Sequence, residues 1–190
     1  MRTELPAAMS NKHIHLSQSD LDALFGAGYE LTKKKDLSQP GQFAAEEKVD
    51  IVGPKGTLKG VRVLGPVRKN TQVEVSISDA FTLGIEPMVK NSGDILGTPG
   101  VKIVGPKAEI EIKEGVIVAA RHIHMHPEEA KEFDVENGDI VSVKVKGFRG
   151  LVFNNVLIRS GEGHRLEMHM DMEEGNAAGL KNGDLVEIIK

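Results

Sequence analysis

The sequence predicts a mainly β fold built from two related small units, each a barrel or sandwich with short helices. Three observations predict it. Short Val/Ile-rich runs recur along the chain, and Gly53-Pro54-Lys55-Gly56, Gly65-Pro66 and Gly105-Pro106 each follow or interrupt one. Evenly spaced short strands of this kind favour a barrel or sandwich over alternating βαβ units. Helix signals are few. Finally, one motif occurs twice: Lys12-His13-Ile14-His15-Leu16 returns as Arg121-His122-Ile123-His124-Met125, each copy followed by a helix start.

Taken in chain order, Ser17-Gln18-Ser19-Asp20 precedes Leu21, Leu24 and Phe25, and Gly26 follows. That is an N-cap, a short apolar face and a C-terminal glycine. Strands are expected over 49–52, 58–64, 71–77, 101–104, 109–113 and 116–119. The Lys33-Lys34-Lys35 run reads as a solvated face. In the second half, Pro127-Glu128-Glu129-Ala130 puts proline and acids where a first helical turn wants them. Strands are expected over 139–145, 151–158, 165–170 and 185–189, with a short helix over 171–179. A second internal similarity lays Gln72-Val73-Glu74-Val75-Ser76-Ile77-Ser78 over Arg165-Leu166-Glu167-Met168-His169-Met170-Asp171. It makes Glu167 the partner of Glu74. Two copies at so long a period indicate a diverged duplication, not a solenoid.

Composition narrows the function. The 190 residues are 39% hydrophobic and 27% charged, ordinary for a globular protein. Lys+Arg number 24 against 28 Asp+Glu, a net charge of -4. That argues against a dedicated nucleic-acid or anionic-membrane binder. Cysteine is absent, which excludes disulfide scaffolds, thiolate-ligated metals and an acyl-cysteine intermediate. No apolar run approaches the ~20 residues that span a bilayer. A cytoplasmic protein is the expectation.

Five of the seven histidines lie in the repeated places: His13, His15, His122, His124 and His169. In a strand, side chains at i and i+2 share a face. Each His-x-His therefore aims two imidazoles at one point, while Ile14 and Ile123 face a core. That suits a divalent transition metal such as Zn, Fe, Ni or Cu. Two pairs plus His169 and a carboxylate could hold two metals. Without cysteine the donors are His and carboxylate, which fits a catalytic site with an open position. His126 and His164 have no repeat partner; His126 is the better candidate for a supporting contact. The Ser92-Gly93-Asp94 and Gly97-Thr98-Pro99-Gly100 stretch forms a glycine-rich loop. Such a loop turns the chain or lets backbone approach a ligand, and it matches neither phosphate-loop fingerprint.

Several runs resemble the phosphate propanoyltransferase family of phosphotransacylases. They are Ser10-Asn11-Lys12-His13-Ile14-His15-Leu16-Ser17, Leu64-Gly65-Pro66-Val67-Arg68, Gln72-Val73-Glu74-Val75-Ser76 and Ser78-Asp79-Ala80 before Leu83-Gly84. Ser92-Gly93-Asp94, Arg121-His122-Ile123-His124-Met125 and Glu167-Met168-His169-Met170-Asp171 complete the set. The resemblance implies two small β-barrel domains capped by short helices, 1–11 plus 120–190 and 12–119, with the active site between them. It implies the reversible reaction of short-chain acyl-CoA and phosphate to acyl phosphate and CoA, with acetyl or propanoyl as the acyl group. It implies two zinc ions, one on His13, His15 and Glu74 and meeting the CoA sulfur, the other on His122, His124 and His169. Arg68 would hold phosphate, and Ser92, Gly93 and Lys90 would contact CoA. The resemblance leaves room for a homodimer and for association with a bacterial microcompartment. With twelve residues before His13, free cytosol is the expectation.

The chain departs from the family pattern at Lys12 and Lys90, where arginine is usual, and at Gly175, where alanine is usual. None is a proposed metal ligand. Two other enzyme classes keep a foothold in the residues: a metal-dependent hydrolase, and a cupin-like metal enzyme suggested by His122-x-His124 with Glu128. Pro127-Glu128-Glu129 reads better as a helix start, which weighs against the second.

Overall fold

The structure is a computed structural model and describes residues 2–189. After β1 (Glu4–Ser10) come β2 (His13–His15), α1 (Gln18–Phe25), β3 (Lys33–Asp36), β4 (Phe43–Val52), β5 (Thr57–Gly65), β6 (Gln72–Glu74) and α2 (Ile77–Leu83). Next are β7 (Val89–Lys90), β8 (Val101–Val104), β9 (Glu109–Ile112) and β10 (Val116–Ala119). The remainder is β11 (His122–Met125), α3 (Pro127–Phe133), β12 (Ile140–Lys144), β13 (Val152–Ser160), β14 (Glu167–Asp171), α4 (Met172–Ala178) and β15 (Leu185–Ile189). The fold is mainly β with four short helices, as the sequence predicts.

The chain divides into two compact units. One joins the segment up to Asn11 with everything from Ala120 on; the other is Lys12–Ala119. In the first, β1-β14-β11-β13-β12-β15 form a closed barrel, with β1 pairing antiparallel to β15. Alternation along its strands sends Leu5, Ile123, Met125, Val143, Val156, Ile158 and Met168 inward, all fully buried. In the second, the sheet order is β7-β10-β6-β2-β5-β4-β8-β9, with β3 added on β4. This sheet is a half-barrel whose core holds Ile14, Leu16, Leu21, Leu24, Ile51, Val63, Val73 and Leu83. Among the described residues no helix is long and apolar enough to cross a membrane.

The two units repeat one motif. β2 lies between β5, parallel to it, and β6, antiparallel. β11 lies in the same way between β13 and β14. β5 and β13 are both nine residues long, and both turn their fourth residue to positive φ, Gly60 at 64° and Asn155 at 56°. Glycine and asparagine are the residues that tolerate that conformation.

Strand register corrects the second internal similarity. His13 pairs with Glu74 and His15 with Gln72, while His122 pairs with His169 and His124 with Glu167. Glu74 thus corresponds to His169, and Gln72 to Glu167. The helix caps agree: Ser76 caps α2 two residues beyond Glu74, and Asp171 caps α4 two residues beyond His169, each in a capping box. Matching glutamate to glutamate shifts the overlay by two.

The expected strand over 71–77 stops at Glu74, because Ser76 and Asp79 exchange bonds with each other's backbone and start α2 at Ile77. Local capping overrides the β-branched residues there. The Lys33-Lys34-Lys35 run is solvated, yet it is strand β3. All four of its residues are exposed, and Lys34 pairs with Glu46 of β4 at 2.8 Å.

Candidate metal centres

In the Lys12–Ala119 unit, β2 is three residues long and buried throughout. Ile14 points into the core, so His13 and His15 share the other face. Glu74 stands across the ladder from His13. Donor atoms of His13, His15 and Glu74 lie within 4.8 Å of one another. The two rings meet edge to face, 5.1 Å between centroids, and His13 Nε2 is 3.4 Å from Glu74 Oε2. The other oxygen, Glu74 Oε1, accepts from Gln72 Nε2 at 2.7 Å and from the Ser92 hydroxyl at 2.8 Å. Arg68 Nη1 donates to the same Ser92 oxygen at 3.3 Å.

The electrostatics leave two of these groups able to act as ligands. Burial alone would raise Glu74, but the neighbouring His13 and His15 imidazoles and the Ser92 hydroxyl hold it well below the usual carboxylate range. Burial pushes the His15 imidazole down to about 3, assisted by the charges of His13 and Arg68. At neutral pH His15 is therefore neutral with a lone pair available, and Glu74 is an anion.

The barrel unit builds the counterpart. β11 is buried throughout, Ile123 faces the core, and His169 stands across the ladder from His122. Donor atoms of His122, His124 and His169 lie within 4.8 Å of one another. His122 Nδ1 is 2.8 Å from the Ala120 carbonyl. A carbonyl only accepts, so Nδ1 carries a proton; the other ring nitrogen, Nε2, lies 3.1 Å from His124 Nε2. Burial pushes His124 down to about 2, with His122, His169 and His164 adding to the effect. It too is neutral.

Two buried side-chain atoms among the described residues lack a hydrogen-bond partner: His15 Nδ1 and His124 Nδ1. Such orphans are rare in folded proteins. Here they occur at the same place in both units, on the second histidine of each His-Ile-His strand. Orphaned imidazole nitrogens, neutral rings and an ionised carboxylate fit metal ions, and these two groups of residues could hold them.

Comparison with known proteins places the chain in a family. A family profile described as phosphate propanoyltransferase matches residues 6–181. Phosphate propanoyltransferase of Thermotoga maritima is 57% identical over 183 residues, covering 96% of this chain and 87% of that protein. The Salmonella typhimurium protein of the same name is 54% identical over 179 residues, covering 94% and 85%. That of Listeria monocytogenes is 46% identical over 190 residues, covering 100% and 89%. The chain belongs to the phosphate propanoyltransferase family. It is an enzyme, a phosphate acyltransferase.

Within this family member, the six candidate ligands fall into two triads, one per unit. Arg68 lies beside the first triad and, with His15, Pro40, Gly41, Gln42, Gly65 and Pro66, lines a cavity of about 230 Å³. A larger cavity of about 580 Å³ in the same unit is lined by Asp20, Thr71, Gly93 and Lys113 among others, and contains none of the six. The small cavity is the one that meets a candidate triad, through His15. Ser92 and Gly93 join the Glu74 network, since the Gly93 amide donates to Gln72 Oε1 at 2.8 Å. Lys90 stands apart from that network, paired with Asp94 at 3.2 Å.

The two spare histidines exchange roles relative to expectation. His126 caps α3 and faces exposed Glu162 at 3.0 Å. His164 is the one that packs on the site, with its ring centroid 4.3 Å from that of His124 and Nδ1 held by the Arg159 carbonyl. Gln72 and Glu167 were also missed as site residues. The signal for both was local: each stands two residues before a candidate ligand, hence on the same face of its strand.

Proposed function

We propose that this enzyme interconverts short-chain acyl-CoA plus phosphate with acyl phosphate plus CoA, by direct transfer, using two zinc ions. His13, His15 and Glu74 hold one ion; His122, His124 and His169 hold the other. The observation that carries the reading is the guanidinium of Arg68 joined through Ser92 to the carboxylate of the first triad. An anion-binding group and a metal-ligating group are thereby fixed to one hydroxyl. Zinc, when bound, supplies a Lewis acid and a partner for a thiolate.

The chain's own residues do the rest. Arg68 presents a planar fork that matches two phosphate oxygens. The cavity beside it is small and partly walled by Gly41, Gly65 and Pro66, suited to an inorganic anion. Held there, a phosphate oxygen attacks the thioester carbonyl carbon; the carbon–sulfur bond breaks and CoA leaves as its thiolate. Positioning two reactants in this way removes much of the entropic barrier. No acyl-enzyme is formed, and no cysteine is present to form one through sulfur. Ser92, Gly93 and Lys90 contribute to the CoA side, and acetyl and propanoyl are the acyl groups accepted.

The test is release of thiol from acetyl-CoA and propanoyl-CoA, with and without phosphate, before and after chelation. Release that requires phosphate, stops on chelation and returns with zinc is the expected result. Thiol release in phosphate-free buffer would make the enzyme a hydrolase. Full activity after chelation would remove the metals, and a trapped acyl-enzyme with ping-pong kinetics would remove direct transfer.

A further inference from the structure

Opposite the second histidine of each His-Ile-His strand stands a residue whose side chain grips the third donor. In one unit it is Gln72, opposite His15; in the other it is Glu167, opposite His124. Gln72 is 2% exposed. Its amide hydrogens go to Glu74 Oε1 at 2.7 Å and Ser92 Oγ at 2.9 Å, and its carbonyl accepts from the Gly93 amide. With Oε1 occupied by Gln72 and Ser92, Glu74 turns Oε2 toward His13. Glu167 Oε2 lies 2.7 Å from His169 Nε2. A carboxylate accepts, so that contact takes up Nε2 and leaves Nδ1 as the ring atom turned to the two histidines.

We propose that Gln72 and Glu167 are positioning residues, one in each unit, that decide which atom of the third donor faces the two histidines. The proposal rests on the two-metal reading above. It also accounts for the different third donors. Glu74 is an anion braced by a neutral amide; His169 is an imidazole braced by an anion. Each set carries one carboxylate, as the donor in one unit and behind the donor in the other. A carboxylate behind an imidazole fixes its tautomer and strengthens it as a ligand.

The experiment measures zinc retention against a graded chelator. In a His122→Ala background the remaining ion reports the Glu74 site alone, and in a His13→Ala background it reports the His169 site alone. Gln72→Met in the first and Glu167→Met in the second remove the polar contact at nearly constant side-chain length. Each is expected to lower zinc affinity about 10- to 100-fold. Glu167→Gln, which keeps an acceptor, should lose less than Glu167→Met. Circular dichroism of the metal-free variants checks that they fold. Imidazole nitrogen NMR of the metal-free, unsubstituted chain gives a second reading, with the His169 proton expected on Nε2.

Met variants that hold zinc as tightly as their backgrounds overturn the proposal while leaving the two metal sites standing. So does a His169 proton found on Nδ1. A wild-type chain that takes up no zinc overturns the two-metal reading, and the proposal with it. If a Met variant does not fold, Gln72→Leu or Glu167→Gln takes its place under the same criterion: full zinc affinity rejects the assignment for that unit, and lowered affinity upholds it.

Discussion

The Ser92 hydroxyl donates to Glu74 Oε1 at 2.8 Å and accepts from Arg68 Nη1 at 3.3 Å. One oxygen thus links a candidate metal ligand to the candidate phosphate anchor. Ser92→Ala removes the link without adding bulk. Hydrogen bonds to charged groups contribute roughly 1.5–3 kcal/mol. Phosphate KM should therefore rise about tenfold, and zinc should be lost at lower chelator concentration. Steady-state kinetics at varied phosphate, with a chelator titration beside them, reads both. Unchanged values in the two assays would sever Ser92 from the site.

Arg68 is expected to act on phosphate more than on the thioester. Arg68→Ala should raise phosphate KM by about ten- to a hundredfold, from the loss of charged hydrogen bonds. Arg68→Lys should recover only part of that, because an ammonium is a point donor and cannot reproduce the fork. Saturation curves for phosphate and for acyl-CoA, taken separately, test the split. An equal rise in both would mean a general disruption of the site.

Much of this site is legible in the chain because its geometry is local. His13-Ile14-His15 and His122-Ile123-His124 need only strand periodicity to place two imidazoles on one face. The third candidate ligands are different. Glu74 and His169 reach the pairs through ladders between β2 and β6 and between β11 and β14, and register is a property of the folded sheet. Matching like letters therefore put Glu74 with Glu167, two residues out of phase. His164 is hidden for a similar reason: it follows a Gly161-Glu162-Gly163 turn and meets His124 forty residues away in sequence, with no periodic signal. Strand β3 was opaque because its four exposed residues carry no apolar alternation.

Glu47 makes a prediction about acid stability. It is 7% exposed, accepting from the Tyr29 hydroxyl at 2.9 Å and from the Thr32 amide at 3.1 Å. Burial by itself would raise its pKa, but its own backbone amide, the Thr32 amide and the Tyr29 hydroxyl outweigh that and hold it below the usual value. A depressed carboxylate stabilises the fold above its unfolded pKa of about 4.3, and that contribution is lost as pH falls through the folded value. Glu47→Gln should cost about 1–3 kcal/mol at pH 7, where its amide hydrogens face the Thr32 donor. The gap to wild type should close on acidification below about pH 4. Urea unfolding at pH 7 and at successively lower pH measures it. A gap that stays constant with pH would show that the charge on Glu47 is immaterial.

Gly175 offers a test of packing whose sign reverses with its neighbour. It lies inside α4, and a β-carbon there would overlap Met9 Sδ and Met9 Cγ. Helix propensity favours alanine over glycine by roughly 0.5–1 kcal/mol. Forcing a methyl against the thioether costs about 1–3 kcal/mol, somewhat relieved by methionine's flexibility. In the wild-type background Gly175→Ala should therefore destabilise, by about 1 kcal/mol from the difference of those two effects. With Met9→Ala already in place the clash is gone, and the same substitution should stabilise by roughly 0.5–1 kcal/mol. A four-member unfolding cycle reads the coupling directly. If Gly175→Ala has the same sign in both backgrounds, the space taken by Met9 is not what glycine serves at this position.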